Sequence, residues 1–418
     1  MENNNTTLIH AARLADGVSK SSQHEQGILV ADGRITAVGP TAQIKQNARP
    51  DIETINLGDV TITPGLIDGH THLSLAGDGR DYAAMFSEND EMMMLTGAHN
   101  LQLHLAAGIT TLREHGARNK VGFLLKEGLS RGYIAGPRMQ VSGRPITCTG
   151  GHFHMCNEEA DGPGEIRRSV RRLVHEGADY LKIMASGGGT AGTIPGRASF
   201  SVEELHAAVH EAHHFHKLTA AHCRAKESMQ RAVEAGIDLM EHAEFLDPDH
   251  QMRFDPDLAD KMAECDIWIS PTLQAWTQYG RIVELESKQV EDDLTEFEES
   301  ELQSLRARAE TRLEVMRRML EHCKMERIVS GTDSGVGSLC FGHLDYDLRL
   351  LVEVGFTPGE ALLSATRISA EALGIERDLG TIEPGKVADL AAFKGDPTKD
   401  VLALSEVVAV FQGGVRVS

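Results

Sequence analysis

The chain has 418 residues and a formal charge of 41 − 62 = −21. At roughly 150 residues per domain, that length suits two to three domains, or one large barrel with an appendage. The balance of 41% hydrophobic and 25% charged residues is that of a globular protein, which excludes a disordered or collagen-like chain. An acidic surface repels phosphate backbones and anionic lipid heads, so a small-molecule substrate is expected, with no nucleic acid and no membrane partner.

The N-terminal stretch MENNNTTLIHAARLADG has neither a basic start nor a continuous apolar run, so no secretory signal is expected. Six cysteines without a C-x-x-C pair suit reduced thiols and a cytoplasmic location. Residues 6–60 alternate as strands, with Asp32-Gly33 at a hairpin turn. Residues 379–418 repeat that style with a Gly-Gly turn, and both ends together are expected to form one small β-sandwich (1–60 and 379–418). Residues 61–378 change to apolar runs separated by amphipathic stretches. Eight strand candidates lie at 62–73, 109–117, 138–147, 180–187, 218–224, 238–245, 267–273 and 328–334. This α/β pattern predicts a (β/α)8 TIM barrel, with its chemistry at the C-terminal strand ends. Residues 281–301 hold nine acidic and two basic side chains and lead into apolar residues at helical spacing, which predicts a solvated helical pair over the barrel or in a subunit contact.

The first barrel candidate ends in Asp68-Gly69-His70-Thr71-His72. Residues i and i+2 of a strand share a face, so His70 and His72 can chelate one metal. Lys182, His222, His242 and Asp333 stand at the ends of other strand candidates. Lys182 lies inside the apolar run Tyr180 to Ala185, and burial favours its neutral amine. Such an amine can add carbon dioxide to form a carbamate that bridges two cations. A structural lysine paired with a carboxylate is the alternative, and four histidines and an aspartate favour the carbamate.

This ordered set, His70-x-His72, Lys182, His222, His242 and Asp333, resembles the amidohydrolase superfamily. The phrases TPGLIDGHTHL, GADYLKIMASGG, GTDSG and TIEPGKVADL are similar to its branch of imidazolonepropionase-like proteins, Xaa-Pro and Xaa-Arg dipeptidases, and ochratoxin-type amidases. The resemblance covers nearly the whole chain and implies two divalent metal ions, zinc before manganese, cobalt or iron. His70, His72 and Asp333 would bind the more buried ion, His222 and His242 the more exposed one, and carboxylated Lys182 would bridge. Asp333 would shuttle the proton from the attacking water to the leaving nitrogen. A homo-oligomer is also implied.

In the resembling dipeptidases a His after Gly-Gly bonds the scissile carbonyl, which makes His152 the oxyanion candidate, with His154 a weaker neighbour. Arg224, two residues after His222, is read as a carboxylate clamp, where the relatives often carry Tyr. Its alternative is a rim salt bridge. Arg197, in the glycine-rich segment 186–199, is a second anion contact on a loop that closes over substrate, and His115 is a candidate substrate contact.

The motif His210-Glu211-Ala212-His213-His214 matches H-E-x-x-H, but a helix at 201–217 would lie outside the barrel, away from the strand ends. The expectation is therefore hydrolysis of an amide bond in a dipeptide or N-acyl amino acid with a free carboxylate. The alternatives are a urea, carbamate or lactam on the same site, and a non-catalytic scaffold. A mononuclear deaminase fits less well, because deaminases lack the strand 4 lysine.

Overall fold

A computed structural model of the chain describes residues 6–49 and 52–418. Residues 1–5, part of the stretch read for a secretory leader, and residues 50–51 lie outside the described residues.

The protein is mixed α/β. Parallel strands Leu66–Thr71, Ile109–Glu114 and Arg138–Val141 form one ladder, and Leu181–Ile183, Thr219–Ala225, Leu239–Leu246 and Trp268–Ser270 form a second. Parallel bridges Ile146 to Ile183, Ile269 to Ile328 and Thr71 to Ser334 join them into a ring that returns to its first strand. The stretch 328–334, expected as a strand, is not a regular strand but joins the ring through those bridges, the Gly69 N–H to the Ser330 carbonyl at 2.9 Å and the Asp333 N–H to the His70 carbonyl at 2.8 Å. Between the strands, helices such as Asp90–Ala106, Gly162–Glu176 and Val202–His214 turn apolar faces to the ring.

The single strand expected over 62–73 divides in two. Val60–Pro64 pairs antiparallel with Leu390–Lys394, and the ring strand begins at Leu66. Gly65 makes the change of sheet, where a Cβ would lie 2.0 Å from Thr110 Oγ1.

The terminal segments build two further sheets. One runs in the order Arg34–Pro40, Gln26–Ala31, Thr6–His10, Glu53–Asn56. The other contains Val407–Gln412, Leu390–Lys394 and Val60–Pro64. Side chains from both, including Ile9, Ile28, Ile62, Leu390 and Phe411, share one apolar core. Asp32 and Gly33 take φ of 51° and 78° at the first hairpin, as a two-residue turn with left-handed centres requires.

The acidic segment forms helices Tyr279–Val290 and Glu296–Leu320, joined through Ile282, Leu285, Leu302, Leu305 and Ala309. Thr295 and Glu298 form a capping box at the start of the second helix.

Candidate metal centre and substrate cavity

His70, His72, Lys182, His222, His242 and Asp333 converge at the C-terminal end of the ring, none more than 4% exposed. His70, His242 and Asp333 each offer a ligand atom within 4.8 Å of the others. Asp333 Oδ1 lies 3.2 Å from His70 Nε2 and 3.3 Å from His72 Nε2. His222 Nδ1 faces His242 Nε2 at 2.8 Å.

The opposite nitrogens of three of these rings are bonded to protein. His70 Nδ1 meets Glu241 Oε2 at 2.7 Å, His222 Nε2 meets the Gly187 carbonyl at 3.2 Å, and His242 Nδ1 meets Thr272 Oγ1 at 2.7 Å and Trp276 Nε1 at 3.2 Å. Such outer bonds fix ring orientation and leave His70 Nε2, His222 Nδ1 and His242 Nε2 turned toward the shared space.

Lys182 Nζ is buried and has no hydrogen-bond partner among the described residues. Burial lowers the basicity of its amine against the opposing pull of Glu241 and Asp333, so the free amine is favoured more than in water. Burial would raise the pKa of Asp333, but His70 and His72 overcome it and hold the carboxyl well below its usual range. An unpaired buried amine amid inward-facing imidazole nitrogens and a carboxylate is a donor set that fits borderline divalent cations such as zinc.

Several contributors escape sequence reading. Glu241 precedes His242, and strict alternation would send it to the other face. Yet His242, Ala243 and Phe245 take φ of 70°, 49° and 53°, which breaks the strand's two-residue period. The strand end therefore presents His242 while Glu241, fully buried, supports His70. Asp68 is held by Thr332 Oγ1 at 2.7 Å and by His104 Nε2 at 3.0 Å, tying the first strand to the last. The signal for Asp68 was its place in the D-G-H-T-H run. For Thr272, Trp276 and Glu241 the sequence carried none.

His152 is buried with Nδ1 2.8 Å from Thr190 Oγ1, its ring 4.7 Å from that of His222 between centroids. Thr190 Oγ1 accepts the Phe153 N–H at 3.1 Å, so its own proton can go to His152 Nδ1, leaving Nε2–H as the free donor. A Cβ on Gly188 would fall 2.4 Å from His152 Nε2, so only glycine permits the glycine-rich segment to lie this close. Burial lowers the His152 pKa to about 3, keeping the ring neutral.

The other substrate candidates are placed differently. His115 is fully buried behind His70, stacked on it at 3.9 Å and bonded to the Gly69 carbonyl at 2.8 Å, so it backs the centre instead of lining its mouth. Arg224 lines a cavity of about 980 Å³ that reaches Asp333 and includes Trp276, Glu244 and Tyr346. Its guanidinium grips Glu244 at 3.0 to 3.1 Å and lies 3.9 Å over the Trp276 ring. Arg197 is exposed and His154 half-buried, and neither is among the residues lining that cavity. In the H-E-x-x-H motif, Glu211 is tied to Arg171 at 2.6 Å and His213 to Asp238 at 2.8 Å, on a helix outside the ring.

A family model described as "Amidohydrolase family" matches residues 61–417. The chain is 26% identical to ochratoxinase from Aspergillus niger over 440 residues, covering 98% of this chain and 86% of that protein. It is 23% identical to imidazolonepropionase from Pyrobaculum arsenaticum over 407 residues, covering 88% and 85%. Among solved structures, a Xaa-Pro dipeptidase with bound methionine in its active site superposes with a TM-score of 0.82 at 28% identity, covering 98% of this chain and 99% of that one. No helix among the described residues is long and apolar enough to cross a membrane.

Proposed function

As the chain belongs to the amidohydrolase family and is a hydrolase acting on a small molecule, we propose that it cleaves the amide bond of a dipeptide or N-acyl amino acid with a free carboxylate. The observation that carries this reading is the inward convergence of His70 Nε2, His72 Nε2, His222 Nδ1, His242 Nε2 and Asp333 Oδ1 beside an unpaired Lys182. Further support comes from the names of its relatives, an ochratoxinase and a Xaa-Pro dipeptidase.

In this reading the ring of parallel strands is a (β/α)8 barrel over residues 61–378, and residues 1–60 and 379–418 are a β-sandwich domain. His70, His72 and Asp333 would hold one divalent cation and His222 and His242 a second, zinc in each case, and carboxylated Lys182 would supply a further anionic ligand. When bound, such cations polarise a carbonyl and lower the pKa of water from 15.7 to about 7. The chain's own residues do the rest. Asp333 accepts the proton of the attacking water and returns it to the leaving nitrogen, so that one C–N bond breaks and one C–O bond forms. His152, neutral and held by Thr190, donates a hydrogen bond to the carbonyl oxygen as negative charge develops there. Arg224, fixed by Glu244 and Trp276, offers its remaining guanidinium N–H groups to the substrate carboxylate.

Arg197 and His154 remain secondary substrate contacts in this proposal, reached only if the glycine-rich segment rearranges, whereas His115 backs His70. Free cysteines at all six positions support a reducing, cytoplasmic setting, and the family resemblance supports a homo-oligomer. A urea, carbamate or lactam is the second substrate reading, favoured by the neutralisation of Arg224 by Glu244.

The test is a panel of dipeptides, N-acyl amino acids, their carboxyl-amidated forms, and ureas and lactams, assayed with zinc-loaded protein. Cleavage of the free carboxylates, at least tenfold faster in kcat/KM than of the amidated forms, is expected. Equal rates on both forms would favour the second substrate reading, and no turnover of any member would favour a scaffold.

A further inference from the structure

The acidic helical pair reads from the sequence as a solvated pair over the barrel or in a subunit contact. One of its residues reaches the centre. Arg312, on the helix Glu296–Leu320, is fully buried, and its guanidinium donates to three backbone carbonyls: His242, Ala243 at 3.3 Å and Pro271 at 3.0 Å. These carbonyls belong to the ends of the sixth and seventh ring strands. His242 and Ala243 both take left-handed φ, and Pro271 precedes Thr272, at φ 45°. Non-glycine residues in that region persist only where the surroundings over-determine them. Thr272 and Trp276, just beyond Pro271, are the residues that bond His242 Nδ1.

Resting on the metal-centre reading above, we propose that Arg312 is a positioning residue for His242, clamping the strained strand ends so that His242 Nε2 and His222 Nδ1 face one cation. A guanidinium suits this role because its planar fork spans three acceptors, where an ammonium would be a point donor. Glu244 supplies the opposing charge, and although burial lowers the Arg312 pKa to about 10, the group is a cation at neutral pH. The same helix brings Glu301, Arg308 and Thr311 to the wall of the cavity that reaches Asp333. One helix thus carries both substrate wall and ligand support.

The experiment uses metal-free full-length protein titrated with Zn2+, and with Co2+ followed by its visible absorption, for the parent, Arg312→Lys and Arg312→Gln. In the parent two equivalents are expected to bind. In the variants the first binds as in the parent, while the second is expected to weaken roughly 10- to 100-fold, the range typical of residues supporting a ligand, and its Co2+ spectrum to change. Arg312→Lys should keep more of that affinity than Arg312→Gln. Two equivalents bound as in the parent, with unchanged spectra, would overturn the proposal even if the melting temperature fell. A second measurement needs no variant: hydrogen exchange in Glu296–Leu320 of the parent should slow on adding the second equivalent, and unchanged exchange there overturns it too. A parent that binds no metal overturns the metal-centre reading itself, and this inference with it.

Discussion

His222 Nδ1 and His242 Nε2 face each other at 2.8 Å inside a buried site. Two imidazole lone pairs cannot share that gap, so a proton or a cation must lie between them. His222 Nε2 is directed to the Gly187 carbonyl and so carries a hydrogen, and the Trp276 N–H lies between Thr272 Oγ1 at 3.1 Å and His242 Nδ1 at 3.2 Å. With His222 Nδ1 an acceptor, the His242 Nε2 proton bridges the gap, and a cation binding there requires that proton to move to His242 Nδ1, which faces Thr272 Oγ1 at 2.7 Å.

Metal removal is the first consequence. Dialysis against a chelator is expected to abolish activity and lower the melting temperature, and about two equivalents of zinc should restore both. His222→Ala and His242→Ala should each bind one equivalent less and lose more than about 100-fold in kcat/KM, beyond the range typical of supporting residues. Full stoichiometry in either variant, measured by metal analysis, would contradict the assignment.

Lys182 has a distinct signature. If its amine is carboxylated, Lys182→Ala removes a bridging anion and leaves a small void. Millimolar acetate or propionate should then restore part of the lost activity, while the parent should not respond. An Ala variant that retains activity without added carboxylate would show that the lysine is structural.

Glu241 supports His70 through the 2.7 Å bond to Nδ1 and lies 3.3 Å from His115 Nε2. Glu241→Gln keeps the shape and removes the charge. Activity or metal affinity should fall roughly 10- to 100-fold, with KM for substrate little changed, because the residue is buried behind the centre. A rise in KM alone would point to a substrate contact.

Asp347 provides a pH prediction. Burial raises its pKa to about 7, although the backbone N–H groups of Gln274, Gly331 and Leu273 pull it down. The unfolded value is near 3.9, so between about pH 4 and pH 7 the folded state binds the extra proton. Its contribution is fully present below about pH 4 and is lost as pH rises through 7, with a slope of up to about 1.4 kcal/mol per pH unit. Denaturant titrations of the parent and Asp347→Asn across this window should differ by that slope. Parallel stability profiles would exclude it.

Much of the centre was readable because its chemistry follows local rules. His70 and His72 share a strand face by spacing alone, and the lysine, histidines and aspartate stood out as polar residues ending apolar runs. Glu241 was hidden because left-handed backbone at His242 and Ala243 breaks the alternation on which facing is judged. The strand expected over 62–73 was two strands in different sheets, since an unbroken apolar pattern does not show where pairing partners change. His115, one residue past a strand end, was expected near substrate, and stacking on His70 turned it inward.

The sequence by itself determined the family, the α/β alternation and the inventory of ligand-type side chains, because these depend on residue type and short-range spacing. Only the tertiary structure decided which ring nitrogen faces inward, that Arg224 is already held by Glu244, and that Arg312 anchors the carbonyl of His242, 70 residues away in the chain. Those outcomes depend on directional bonds between segments distant in sequence, and no local pattern encodes them.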